Sequence, residues 1–305
     1  MTSPERHHLL ADQRFLREQL ATMPASAVLT RISTEARLRA VESLLADIPP
    51  DIPSTWPPAR ARLTFSGAPV IDSHGIAADF GMRAVSSFSD AVAAIAASLS
   101  APLAATGPIP NRDQNQMLIT STAIGSFGFE LEENRSADSP LANDPGVATA
   151  LDRTRALLES TFGTDEELAD VASETDRRAL EKVRAFLKVL ADNDATCALQ
   201  HADHVVRFSD VEQVRRSLQR LAADNLREAH DTLTGQFTGL LPLGRTFEFT
   251  VADSMQSIRG KVAPAVEGIT AINRHLGVRV RIDVLTTQVG RGRPRYLLVR
   301  LPEWP

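Results

Sequence analysis

The chain has 305 residues, 43% of them hydrophobic and 23% charged, with a formal net charge of -5. That balance describes a globular protein, long enough for two or three domains that each bury a core. It argues against a protein that coats nucleic acid or anionic membrane. No apolar run approaches the roughly 20 residues a membrane span requires, so a cytoplasmic location with no membrane partner is expected. One cysteine, Cys197, leaves no internal disulfide framework and no cysteine-rich metal site. Lysine occurs only at Lys182, Lys188 and Lys261, with arginine carrying the rest of the positive charge, a bias that fits a GC-rich bacterial genome.

Taken in chain order, Ser3-Pro4 reads as a cap followed by a proline in the first helical turn, and Phe15, Leu16 and Leu20 recur at helical spacing. A second helix is expected over Ile32 to Leu45. The stretch DIPPDIPSTWPP then breaks helical structure, because proline removes a donor and disfavours helix in the residue before it. Residues 1–47 therefore read as a helical arm and 48–58 as a linker.

Residues 59–228 alternate between strand and helix patterns. RLTFSGAPV and MLITSTAIGSFGFELEE read as strands, the second turning at Ile124-Gly125, and the Ile76 to Leu99 stretch between them reads as a helix. The loop SAPLAATGPIPNRDQNQ follows that helix. Asp144-Pro145 caps a helix ending at Gly163. Thr164 and Glu167 form a capping box for a second, whose apolar side runs from Leu168 to Leu190, so a helical hairpin is predicted. TCALQHADHVVRF reads as a β-hairpin turning at Ala202-Asp203. Ser209 and Glu212 form another capping box, with a helix reaching about Arg227. The fold class is thus α+β, with a mixed middle domain.

Residues 229–305 contain three strand patterns, a helix starting at Pro264 and two further strands. This order resembles an OB-fold, a small partly open β-barrel, with an SH3-like barrel as the alternative. The segment from His230 holds ten basic and six acidic residues, a surplus of four, against -9 for the remainder. The arrangement of parts also resembles that of bacterial proteins encoded near defence genes, a resemblance that carries no residue roles.

Several constellations compete for function. VGRGRPRY, residues 289–296, joins the last two barrel strands, where OB-folds commonly contact ligand. Arg291, Arg293 and Arg295, with Arg279 and Arg281 outward on the preceding strand and Tyr296 as a stacking platform, form a candidate nucleic-acid surface. Arg291-Gly292-Arg293-Pro294 also looks like the core of an AT-hook, but that motif works in disordered tails and this one is pinned between strands. Against nucleic acid, the outward positions Thr246, Glu248, Thr250, Ser257, Arg259 and Lys261 include no aromatic, and Glu248 repels phosphate.

No bound metal is expected; His201 and His204, which face each other across their predicted turn, are the residues that could come closest to a metal pair. Cys197 lies four residues along the strand from His201, about 13 Å away, too far to share an ion with bonds of about 2 Å. Asp72, Ser73 and His74 have the residue types of a catalytic relay, but neighbours on an extended strand point to opposite faces. Phosphate-loop, dinucleotide-fold and metalloprotease spacings are absent from the sequence. The expectation is a non-enzymatic interaction component of a bacterial cytoplasmic assembly, with a protein partner and no cofactor, docking through arm and barrel. The alternatives are a nucleic-acid binder using the basic barrel, and an enzyme with Asp72, His74 or the His201/His204 pair in a middle-domain cleft.

Overall fold

The computed structural model describes residues 3–24, 27–47, 58–123, 127–134 and 146–304. The chain divides into two compact units, residues 1–59 with 133–145, and residues 60–132 with 146–305. In the first unit, helices α1 (Ser3–Thr22) and α2 (Val28–Asp47) pack together. Arg17 and Gln13 both hydrogen-bond Glu42, and Arg37 reaches Asp12. The Arg17 and Gln13 bonds hold the Glu42 carboxyl below the usual carboxylate range. The expected linker up to residue 57, the Ile124-Gly125 turn and the Asp144-Pro145 cap lie outside the described residues.

The second unit opens with the α+β part. Strands β1 (Arg60–Gly67), β4 (Met117–Thr122), β5 (Phe127–Glu133), β6 (Ala195–His201) and β7 (His204–Arg207) form a sheet in the order β4-β5-β1-β6-β7, while β2 (Val70–Ile71) and β3 (Gly75–Ile76) make a separate small hairpin. Alternation puts Ala61, Leu63 and Phe65 of β1 on the buried face. Arg60 and Arg62 on the other face pair across the strand with Glu132 and Glu130. Helix α3 (Ala78–Ser100) packs with α4 (Gly146–Ser160) and α6 (Arg177–Asp192). Phe88 of α3 meets Phe186 of α6 edge-on, with ring centroids 5.5 Å apart, and Phe80 meets Phe65 in the same way at 5.4 Å.

Where one helix was expected from Thr164 to Leu190, the chain makes two, α5 (Asp165–Ser173) and α6. The Thr164–Glu167 capping box forms as expected. Asp176 then starts a new helix by accepting from the Arg178 amide at 2.8 Å, and also accepts from the Leu103 amide at 3.0 Å. Helix α7 (Val211–Arg220) is capped by Asp210, one residue later than expected, through the Gln213 amide. It stops at Arg220, and the next strand starts at Leu226, sooner than its pattern suggests.

That strand, β8 (Leu226–Leu241), runs through the expected domain boundary at residue 229. With β9 (Thr246–Val251), β10 (Ser257–Val262), β11 (Arg279–Val289) and β12 (Arg295–Leu298) it closes a barrel in the order β10-β12-β11-β8-β9, with β9 pairing back onto β10. β10 and β12 are parallel and the other barrel pairs antiparallel, so the C-terminal region is an OB-like closed five-stranded barrel. Phe237, Phe247 and Phe249 fill it, fully buried, with Phe237 edge-on to the other two.

The helix expected from Pro264 is a 3-10 helix, Ile269–Arg274. Gly268 at φ 64 takes a left-handed conformation that an α-helix starting at Pro264 could not pass through. Val266, Ile269 and Ile272 are still buried against the barrel core, whereas Leu276, expected inward, is exposed. Trp304 stacks on His275 with ring centroids 4.3 Å apart and closes that end of the core against Phe237. Among the described residues, no helix is long and apolar enough to cross a membrane.

Candidate functional site

VGRGRPRY is the turn between β11 and β12, and its glycines are placed by what lies against them. Gly290 has φ 54, and a Cβ there would sit 2.7 Å from Oδ2 of Asp165, the first residue of α5. A Cβ on Gly292 would sit 3.1 Å from the Asp165 Cβ. The turn can approach the start of α5 this closely only without side chains at those positions. The Gly290 amide also donates to the Asn225 carbonyl at 2.9 Å, tying the turn to the entry of β8.

The charged residues around the turn continue this contact. Arg295 donates to both carboxylate oxygens of Asp170 on α5. Lys261 on β10 donates to Glu174, the residue that ends α5. From α7, Arg220 donates to Asp165 at 2.9 Å and to the Thr161 carbonyl at 2.8 Å. The acidic helix α5 therefore lies across β11, β12 and their turn, where an OB-like barrel would present its last loop to an anionic ligand.

The six residues singled out for nucleic acid do not converge. Arg295 is engaged by Asp170. Tyr296, expected as a platform, points the other way: it pairs in register with Thr286 and packs on the barrel core, and burial pushes its phenol above the usual range. Arg291 and Arg293 at the tip are exposed, with no hydrogen bond or ion pair among the described residues. Arg279 and Arg281 are exposed at the other end of β11, some eight residues away, or about 25 Å of strand. On the outer face of β9 and β10, Glu248 and Arg259 are cross-strand partners joined at 2.6 Å, so each neutralises the other.

The histidines behave differently from one another. His201 and His204 are opposite in register as expected, but His201 is 7% exposed with Nδ1 2.7 Å from the Arg60 carbonyl, while His204 is exposed. That carbonyl contact makes Nδ1 a donor, leaving Nε2, which lies 3.9 Å from Asp152. Cys197 is buried, and burial pushes its thiol far up. Among the described residues no group of three His, Cys, Asp or Glu could hold a metal ion. Asp72, Ser73 and His74 sit exposed at the tip of the β2–β3 hairpin, with Asp72 at φ 49.

Sequence reasoning missed Asp165, Asp170 and Glu174 as partners of the basic turn. Their signal was present as the acidic side of a capped helix, but a solvated helix looks the same in sequence. Comparison with family models, with curated proteins and with solved structures gave no match for the chain.

Proposed function

We propose that the protein is a non-enzymatic interaction component of a bacterial cytoplasmic assembly, and that helices α1 and α2 form its main docking surface for a protein partner. The observation that carries this reading is apolar exposure on the arm. Leu29 is 84% exposed, Val28 58%, and Phe15 and Ile32 55% each. Scattered single apolar residues need no explanation, but several on one short helical pair favour an interface. The barrel contributes less, because α5 already takes up Arg295 and Lys261.

The test is affinity capture from bacterial extract with the full chain and with a Leu29→Glu/Ile32→Glu variant of unchanged circular dichroism. Proteins held by the parent and lost from the variant support the reading. The same set held by both, or none by either, sinks it. A second reading, nucleic-acid binding, is favoured only by Arg291 and Arg293 at the barrel tip. It requires anisotropy of labelled single-stranded DNA to rise at low salt with a log–log salt slope of about -1.4, as two phosphate contacts on a single strand would give. A flat response at low salt removes it.

A further inference from the structure

We infer that the groove between α6 and the first half of β8 binds the C-terminus of a partner protein, as an extended peptide ending in an apolar residue with a free carboxylate. The inference rests on the interaction reading above and gives that partner a chemistry.

Two independent observations meet there. The first is an open strand edge. β8 pairs with β11 from Leu226, opposite Val289, to Gln236, opposite Arg279, but with β9 only from Gly235 onward. Among the described residues, the opposite edge of β8 over residues 227–233 has no strand against it. Along such an edge alternate residues turn their N–H and C=O groups outward, which is the template for adding a peptide strand. Arg227, Ala229, His230, Asp231 and Thr232 are all exposed along it.

The second is a cavity of about 270 Å³ beside the start of that edge. Its apolar lining is Leu180, Leu221 and Leu226, the first two only 6% exposed, and its cationic lining is Arg177, Arg184 and Arg227. The side chains of Arg184 and Arg227 make no hydrogen bond or ion pair among the described residues, and that of Arg177 reaches only Glu181, at 3.6 Å. Guanidinium groups over an apolar floor suit a ligand with one hydrophobic end and one carboxylate, which arginine can hold through two parallel bonds. The volume lies below the roughly 300–1,000 Å³ of most small-molecule sites, so a single terminal residue fits better than a cofactor. Glu181 and Glu228 also line it; Glu181 is the one Arg177 faces, and burial raises the Glu228 carboxyl above its usual range.

The two features share Arg227 and Glu228, which fixes the peptide's direction. Because the cavity lies at the beginning of β8, a strand that ends there runs antiparallel to β8. Its main chain pairs with the edge, and its last side chain and carboxylate enter the cavity.

The experiment is fluorescence anisotropy of the full chain with fluorescein-labelled hexapeptides of alternating Thr and Val, ending in Leu, Ile, Val or Phe, each as the free acid and as the C-terminal amide. At least one free acid should bind saturably, and its amide at least ten-fold more weakly. Methylation of alternate peptide nitrogens should abolish binding by blocking strand pairing. An Arg184→Gln/Arg227→Gln variant with unchanged circular dichroism should bind at least ten-fold more weakly, whereas the Leu29→Glu/Ile32→Glu arm variant should bind as the parent does. Equal binding of acid and amide, parental affinity in the arginine variant, or no saturable binding up to millimolar protein overturns the inference. A dimer of the full chain that the arginine variant abolishes in sedimentation also overturns it, by giving the groove to a second copy. Loss of the arm's captured partners has no bearing on these readouts, so the two proposals fail separately.

Discussion

The two halves of β11 have the same alternation and meet different surroundings. Val280, Ile282 and Val284 point into the barrel, so Arg279, Arg281, Asp283, Leu285, Thr287 and Val289 share the outer side. At the beginning of the strand that side is exposed at Arg279 and Arg281. At its end, Thr287 and Val289 are fully buried where α5 crosses. Strand period decides which side faces away from a barrel, but whether that side meets water is decided by an element far off in sequence; Arg295 and Asp170 are 125 residues apart. The opposite charges of the two segments also become intelligible, since part of the barrel's basic surplus is the counterpart of carboxylates on α5.

The most severe way to break this comparison is to place a charge at the covered end. Val289→Asp puts a carboxylate at a fully buried position, and the expected loss is about 3–5 kcal/mol, read as a lower urea midpoint. A loss no larger than a surface change gives would mean that α5 does not cover the strand. Gly290→Val is next, at about 1–3 kcal/mol for a branched residue at positive φ. Part of that loss comes from the Asp165 carboxylate and part from the backbone. In an Asp165→Ala background, Gly290→Val should therefore cost less but not nothing. Full additivity would show that the turn and α5 do not touch.

What the sequence made legible was whatever local period controls. The barrel strands, the inward Phe247 and Phe249, the outward Glu248 and Arg259, the hairpin at Ala202-Asp203 and the Thr164–Glu167 cap all follow from spacings of two to four residues. The misreadings came from longer-range terms. The helix across residues 164–190 was split by Asp176, whose carboxylate serves α6 and the distant Leu103 amide together. The helix from Pro264 shortened because of one left-handed glycine. Tyr296 was read as a platform because aromatics near arginines suggest stacking, but its register with Thr286 turns it inward. The first half of β8 was invisible for a related reason: Arg227, Glu228, His230 and Asp231 give no alternating apolar signal, and pairing with β11 alone makes them a strand.

The finest version of the comparison separates charge from packing at the covered end. The Arg295 side chain is 26% exposed and Asp170 59%, so their ion pair lies at the rim of the contact while Thr287 and Val289 form its centre. A double-mutant cycle of Arg295→Ala and Asp170→Ala should give a coupling of only about 0.2–1 kcal/mol, the range of partly exposed pairs. That coupling should shrink between 0.15 M and 1 M salt, as the screening length falls from about 8 Å to about 3 Å. Arg281→Ala, at the open end, should change stability by less than about 0.5 kcal/mol and show no coupling to Asp170. A coupling that survives high salt would mean the pair is more enclosed than its exposure suggests, and that charge helps hold the junction. A coupling that vanishes, with Val289→Asp still severe, leaves apolar contact as what holds α5 on the barrel and gives the arginine the narrower task of setting where on α5 the turn rests.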